Sequence, residues 1–178
     1  MPRLFRNPLL AAALALACGA SHGAASLFAF DDTWVDEQGR SLRLAQWRGR
    51  PTVVAMEYSA CRFVCSVAWR RLVQLQQEAD RRGLALEFVV LSIDPDNDSP
   101  AAWQDYRRAR GLARDNWHFL TAGRGATTRA AGLLGVRWWY ADGHLMHDFR
   151  IVRLDAEGVV AAAVGTYDEP LDKLLSAR

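Results

Sequence analysis

Three cysteines in 178 residues are too few for a disulfide framework, so a hydrophobic core must hold this chain folded. Net charge is equally scarce, formally +2 at pH 7, and no block of like charges occurs. That excludes a basic arm or a nucleic-acid-binding face. Arg70-Arg71 and Arg107-Arg108 stand beside acids in helical patterns and read as solvated helix faces. No apolar run reaches the ~20 residues of a spanning helix; the best candidate, from Pro8 to Ala17, falls well short. Repeats and low-complexity segments are absent, and nothing marks a second domain. What remains is 51% hydrophobic and 24% charged, enough for one domain with one good core.

Residues 1–23 read as an export signal. Arg3 and Arg6 form a basic start, an apolar Leu/Ala stretch follows, and small residues lead to a cleavage point after Gly23 or Ala24. Loss of the two arginines brings the formal charge to zero. Leu16-Ala17-Cys18-Gly19 resembles a bacterial lipoprotein signal, although Ala15 stands where a leucine is usual. Plain cleavage and lipidation of Cys18 both stand. Either one places residues 24–178 outside the cytoplasm, in the periplasm or cell envelope, and touches a membrane only through a lipid anchor. Two cysteines then remain, Cys61 and Cys65, in a compartment that permits disulfides.

Residues 24–30 read as a short tail, and 41–47 as a short strand or a turn. The β-branched, apolar run 52–58 predicts a buried strand. A helical pattern follows over 64–82 and ends at Gly83. Residues 84–93 form a second strong strand that stops in Asp94-Pro95-Asp96-Asn97-Asp98. Ser99-Pro100 caps a helix running to about Arg110. A short strand at 117–121, a helix at 127–134, a hairpin of 149–154 with 159–164, and a closing helix at 170–177 complete the chain. Helices between the early strands imply parallel pairing. The fold class is α/β and thioredoxin-like: a mixed central sheet flanked by helices, with a C-terminal hairpin and helix.

Cys61-Arg62-Phe63-Val64-Cys65 sets two thiols at i and i+4 where a strand gives way to a helix. In a first helical turn both sulfurs face one side, and the helix N-terminus stabilises thiolates. Two convergent soft thiolates suit copper(I), zinc or disulfide exchange. Inert burial and a short structural disulfide are the plainer readings of such cysteines. Their position, with no other cysteine outside the leader, favours chemistry.

Of four histidines, His22 falls in the leader, and His118 within Trp117-His118-Phe119-Leu120 reads as structural. His144 follows the turn signal Asp142-Gly143. His147 comes just before the hairpin strand, where a thioredoxin-like fold lays the chain beside the redox helix. A neutral imidazole there would complete a trigonal site of two sulfurs and one nitrogen. Local sequence does not choose between His144 and His147.

In order along the chain, these segments resemble the Sco/SenC family. The strand at 52–58 feeds Cys61-x-x-x-Cys65. Ser92-Ile93-Asp94-Pro95-Asp96-Asn97-Asp98 follows the second strand, Trp117-His118-Phe119-Leu120-Thr121 comes next, and His147-Asp148-Phe149-Arg150-Ile151-Val152-Arg153-Leu154-Asp155 closes the set. The similarity runs from about residue 28 to 175. Each motif is weak, but the ordered set is specific. It selects His147, eight residues before the turn residue Asp155.

The resemblance implies a thioredoxin fold that binds copper through Cys61, Cys65 and His147, as copper(I) and with copper(II) left open. It implies assistance to the binuclear copper site of cytochrome c oxidase, as metallochaperone, thiol reductant or both. Implied partners are the oxidase copper-site subunit or another periplasmic cuproprotein, and thiol–disulfide oxidoreductases. Asp94 and Asp98 are similar to the family's acidic loop residues, while loop chemistry and capping explain them equally well. Arg62 and Ser66 stand where the family commonly has proline, and Met146 where aspartate is frequent. Arg62 would lower the pKa of the neighbouring thiol.

Two other functions compete. A thiol–disulfide oxidoreductase would attack through Cys61 and resolve through Cys65; three intervening residues and the lack of proline in 136–140 weigh against it. A binding module would use Trp138-Trp139-Tyr140 as an aromatic contact surface, against the plainer alternative of core packing. Zinc is a less usual guest for a three-ligand thiolate site.

Overall fold

The structure is a computed structural model that describes residues 24–61 and 65–176, with Cys65 and Ser66 described in backbone only. The leader, with Cys18, and Arg62 lie outside the described residues, as do the side chains of Cys65 and Ser66.

The described residues form nine strands and four α-helices. They are β1 (Trp34–Asp36), β2 (Ser41–Leu42), β3 (Thr52–Glu57), α1 (Cys65–Arg81), β4 (Glu87–Ser92), α2 (Pro100–Arg110), β5 (Trp117–Thr121), α3 (Arg124–Leu134), β6 (Trp138–Ala141), β7 (His144–His147), β8 (Ile151–Leu154), β9 (Val160–Val164) and α4 (Asp172–Ser176). Seven strands form one sheet in the order β2-β1-β5-β4-β3-β8-β9, and β6 and β7 form a sheet of their own. β3, β4 and β5 pair in parallel; β1 joins β5, and β8 joins β3, antiparallel. This is the mixed sheet with closing hairpin and helix that the sequence predicts.

β3 explains the layering. All six of its residues are buried, as a central strand covered on both faces requires. Because side chains alternate, Val54 and Met56 enter one cluster with α3 residues Ala130 and Leu134. Val53 and Ala55 enter the other, with Leu72 and Leu75 of α1 and Trp103 of α2. α2 starts as expected, the Ser99 side chain accepting from the Ala102 N–H with Pro100 in the first turn.

Three local expectations are corrected, and one, for segment 41–47, is met in both of its forms. Residues 24–30 are not a loose tail: Leu27 and Phe28 are buried in the core, and Ser26 caps a 3-10 turn over Leu27–Ala29. Segment 41–47 is both a strand and a turn, β2 followed by a 3-10 turn at Leu44–Trp47. α3 begins three residues early because Gly123 caps it without a side-chain bond, so the sequence carries no start signal there. His147 does not sit in a loop before the hairpin but ends a strand, β7. Asp142 and Gly143 both take positive φ, 50° and 74°, the tight turn of a two-residue hairpin that reverses β6 into β7.

Candidate metal centre

β3 ends at Glu57, and the chain then turns through Ser59 and Ala60 to Cys61. The turn is built rather than loose. The Cys61 N–H donates to the Tyr58 carbonyl at 3.3 Å. The Ser59 N–H donates to Asp98 Oδ1 at 2.8 Å, and the Ser92 hydroxyl donates to Asp98 Oδ2 at 2.6 Å. Burial raises the pKa of Asp98, and the Ser59 and Ser92 hydrogen bonds oppose that rise. Thr121 Oγ1 donates to the Asp98 carbonyl and accepts from Trp103 Nε1. Asp98 therefore supports the cysteine turn from beneath, whereas Asp94 accepts from Asn97 Nδ2 within its own loop.

Cys61, 6% exposed, and His147, 7% exposed, line one cleft of about 690 Å³ together with Tyr58, Asp94, His144 and Met146. Cys65 opens α1. His147 Nδ1 lies 2.9 Å from the Asp148 carbonyl oxygen. A carbonyl only accepts, so this contact assigns the ring proton to Nδ1 and the lone pair of the neutral ring to Nε2. Burial pushes the His147 pKa down, against the Asp148 hydrogen bond and charge, and so favours that neutral form. The Tyr58 ring meets His147 edge-on, centroids 6.1 Å apart and planes at 78°, and the Tyr58 hydroxyl donates to the Leu145 carbonyl at 2.8 Å.

Of the other histidines, His118 stands apart from this pair, while His144 lines the rim of the same cleft. His118 Nε2 lies 2.8 Å from Glu87 Oε2 and its ring packs on Trp47. That is the structural role the sequence predicts. His144 is exposed at the start of β7. Trp138 packs against the core, while Trp139 and Tyr140 are 46% and 70% exposed.

Two residues were invisible to sequence reasoning. Nothing in the pattern marks the Tyr58 hydroxyl as a cross-element tie. Glu57 did leave a sign, a carboxylate inside a run read as fully buried. It is 2% exposed, and among the described residues its Oε2 has no hydrogen-bond partner. Burial pushes its pKa up to about 8, with Arg110 acting in the opposite direction.

Cys61 and His147 line one cleft, at the head of a helix whose first residue is a second cysteine; a thiolate and a neutral imidazole are soft donors. The SCO1/SenC family model matches residues 23–162. This chain belongs to the SCO1/SenC family. It is 24% identical over 89 residues to the SCO1 protein homolog of Bacillus subtilis (strain 168), a match covering 50% of this chain and 46% of that protein. The matched part is thus about half the length of that curated relative. Among solved structures, BsSco superposes with a TM-score of 0.74 at 18% identity, covering 86% of this chain and 92% of that one. BsSco is a member of the Sco family of cytochrome c oxidase assembly proteins and carries a disulfide switch. Arabidopsis thaliana ScoI with copper bound superposes with a TM-score of 0.69 at 15% identity, covering 80% and 90%. At these identities the structural matches show a common Sco fold.

Proposed function

We propose that this chain is an exported copper(I) metallochaperone that holds its metal through Cys61, Cys65 and His147 and assists assembly of the binuclear copper site of cytochrome c oxidase. The observation that carries the reading is the cleft shared by Cys61 and His147, with the imidazole neutral and its Nδ1 committed to a backbone carbonyl. A ring so held offers Nε2 as the ligand atom. Two thiolates and one nitrogen suit copper(I), and the low coordination number leaves room for an acceptor's ligand during transfer. Family membership and a family structure with copper bound support the choice of metal. Export rests on the leader pattern of residues 1–23, by plain cleavage or by lipidation of Cys18. Among the described residues no helix is long and apolar enough to cross a membrane.

Anaerobic titration of copper(I), against a competing chelator, into protein whose cysteines have first been reduced to thiols tests the site. Tight one-to-one binding is expected, abolished in Cys61→Ser. In His147→Ala it should fall by more than the 10–100-fold typical of outer-shell changes. Full affinity in His147→Ala would overturn the three-ligand site.

One observation favours a second, redox reading. Cys61 is disulfide-bonded. In that reading the Cys61 thiolate attacks a partner's disulfide, one partner thiolate leaves, and Cys65 resolves the mixed disulfide to release the other. Copper affinity that ignores His147, with Cys61 and Cys65 cycling between dithiol and disulfide, would select it.

A further inference from the structure

His147 ends β7, whereas Cys61 lies outside any strand, in the turn that follows β3. Cys61 follows β3 in the middle of the seven-stranded sheet, whereas β7 pairs only with β6. Among the described residues no strand ladder joins β7 to β3. The base of the β6–β7 hairpin is tied to itself, the Asp148 N–H donating to the Arg137 carbonyl at 2.9 Å and Arg137 Nε pairing with Asp148 Oδ2 at 2.8 Å. Those bonds hold the hairpin's shape and do not reach Cys61.

Tyr58 reaches both sides. Its carbonyl accepts from the Cys61 N–H, its hydroxyl donates to the carbonyl of Leu145, and its ring edge meets His147. Leu145 and His147 are two residues apart in one strand and therefore share a face; both are buried. A bond to Leu145 thus fixes the face that carries the imidazole.

We propose that Tyr58 is the positioning residue of this site, setting the separation of Cys61 from His147 by bonding the element that carries each. The proposal rests on the three-ligand copper reading and adds a specific residue to it. Tyr58 touches no metal in this scheme; it acts through His147. Removing the hydroxyl frees the hairpin to sample positions in which Nε2 is out of reach, and the affinity falls by the fraction of time so spent.

A double-mutant cycle decides the matter. Copper(I) is titrated against a chelator into the full-length protein, wild type, Tyr58→Phe, His147→Ala and the double variant. Tyr58→Phe should weaken binding about fivefold, the size of one neutral hydrogen bond. It should change nothing further once His147 is gone. Tyr58→Leu, which removes the ring contact as well, should weaken it more, with Phe restoring part of the loss. An equal loss in both backgrounds, or no loss in Tyr58→Phe, overturns the proposal. If His147→Ala binds as tightly as wild type, the copper reading fails instead, and the metal-free protein then decides on Tyr58. Faster amide exchange over 138–147 in Tyr58→Phe, with α1 unchanged, supports it, and unchanged exchange there overturns it.

Discussion

Glu57 and Tyr58 are adjacent in sequence and leave β3 on opposite errands, one into the core beside α2 and one to the cleft. The glutamate is the costlier of the two, because a buried carboxyl with an unpartnered oxygen gives up hydration without replacement. It responds by keeping its proton. The folded carboxyl titrates near 8, against 4.5 for an ordinary glutamate. Between those values the folded state binds more protons than the unfolded one, so stability is highest below about 4.5 and is lost as the pH rises toward 8. The slope reaches at most about 1.4 kcal/mol per pH unit. Glu57→Gln keeps the shape and removes the titration. Denaturant unfolding should show the variant more stable than wild type at the alkaline end of this window, with the gap closing at the acid end. Parallel profiles would mean that Glu57 is charged throughout. At this scale the proposed ligands Cys61, Cys65 and His147 could be picked out as candidates because soft donors are rare in this chain and stand at element boundaries. Tyr58 was not, because a tyrosine in an apolar strand is ordinary until its hydroxyl is seen to reach Leu145.

Elements were legible where their ends carry side-chain signals. The start of α2 could be read off Ser99-Pro100, and its cap bond is present; Ser99→Ala should cost about 1 kcal/mol in unfolding free energy. The β6–β7 hairpin went unread, although Asp142-Gly143 is a strong turn pair, because His144, Met146, Trp139 and Tyr140 hide the alternation a strand should show. Two glycines with similar backbones separate turn geometry from packing. Gly143 has φ 74°, and an added Cβ would meet nothing within 4 Å. Gly143→Ala should therefore cost only the left-handed penalty of about 1–2 kcal/mol, read as a modest drop in melting temperature. Gly158 has φ 86°, and its Cβ would lie 2.5 Å from the Phe28 ring. Gly158→Ala adds overpacking of about 1–3 kcal/mol to the same penalty and should be clearly the worse of the two. Equal melting temperatures would show that the Phe28 segment yields freely.

That segment sets the limits of the folded unit. The sequence predicts the central sheet well, because β3 and β4 are continuous apolar runs joined by a patterned helix. It cannot foresee β1 beside β5, since the Val35↔Thr121 pairing joins residues nearly half the chain apart and three residues make too short a pattern. Nor does it reveal that residues before β1 close the core. Leu27 and Phe28 pack with Trp34, Leu44, Trp47 and Leu154, the Leu27 N–H donates to the Gly158 carbonyl at 2.8 Å, and Arg48 holds the Phe28 carbonyl. Burying two such side chains is worth about 1.5–3 kcal/mol each, as an upper estimate, against total stabilities of about 5–15 kcal/mol for domains of this kind. Under the proposed export, cleavage after Gly23 or Ala24, or lipidation at Cys18, would leave Leu27 and Phe28 in place. A chain starting at residue 24 should therefore unfold at a clearly higher temperature than one starting at Asp31, with the shorter chain exposing Trp34 and Trp47 to solvent and quencher. Identical melting curves would return residues 24–30 to the status of a tail and move the start of the folded domain to β1.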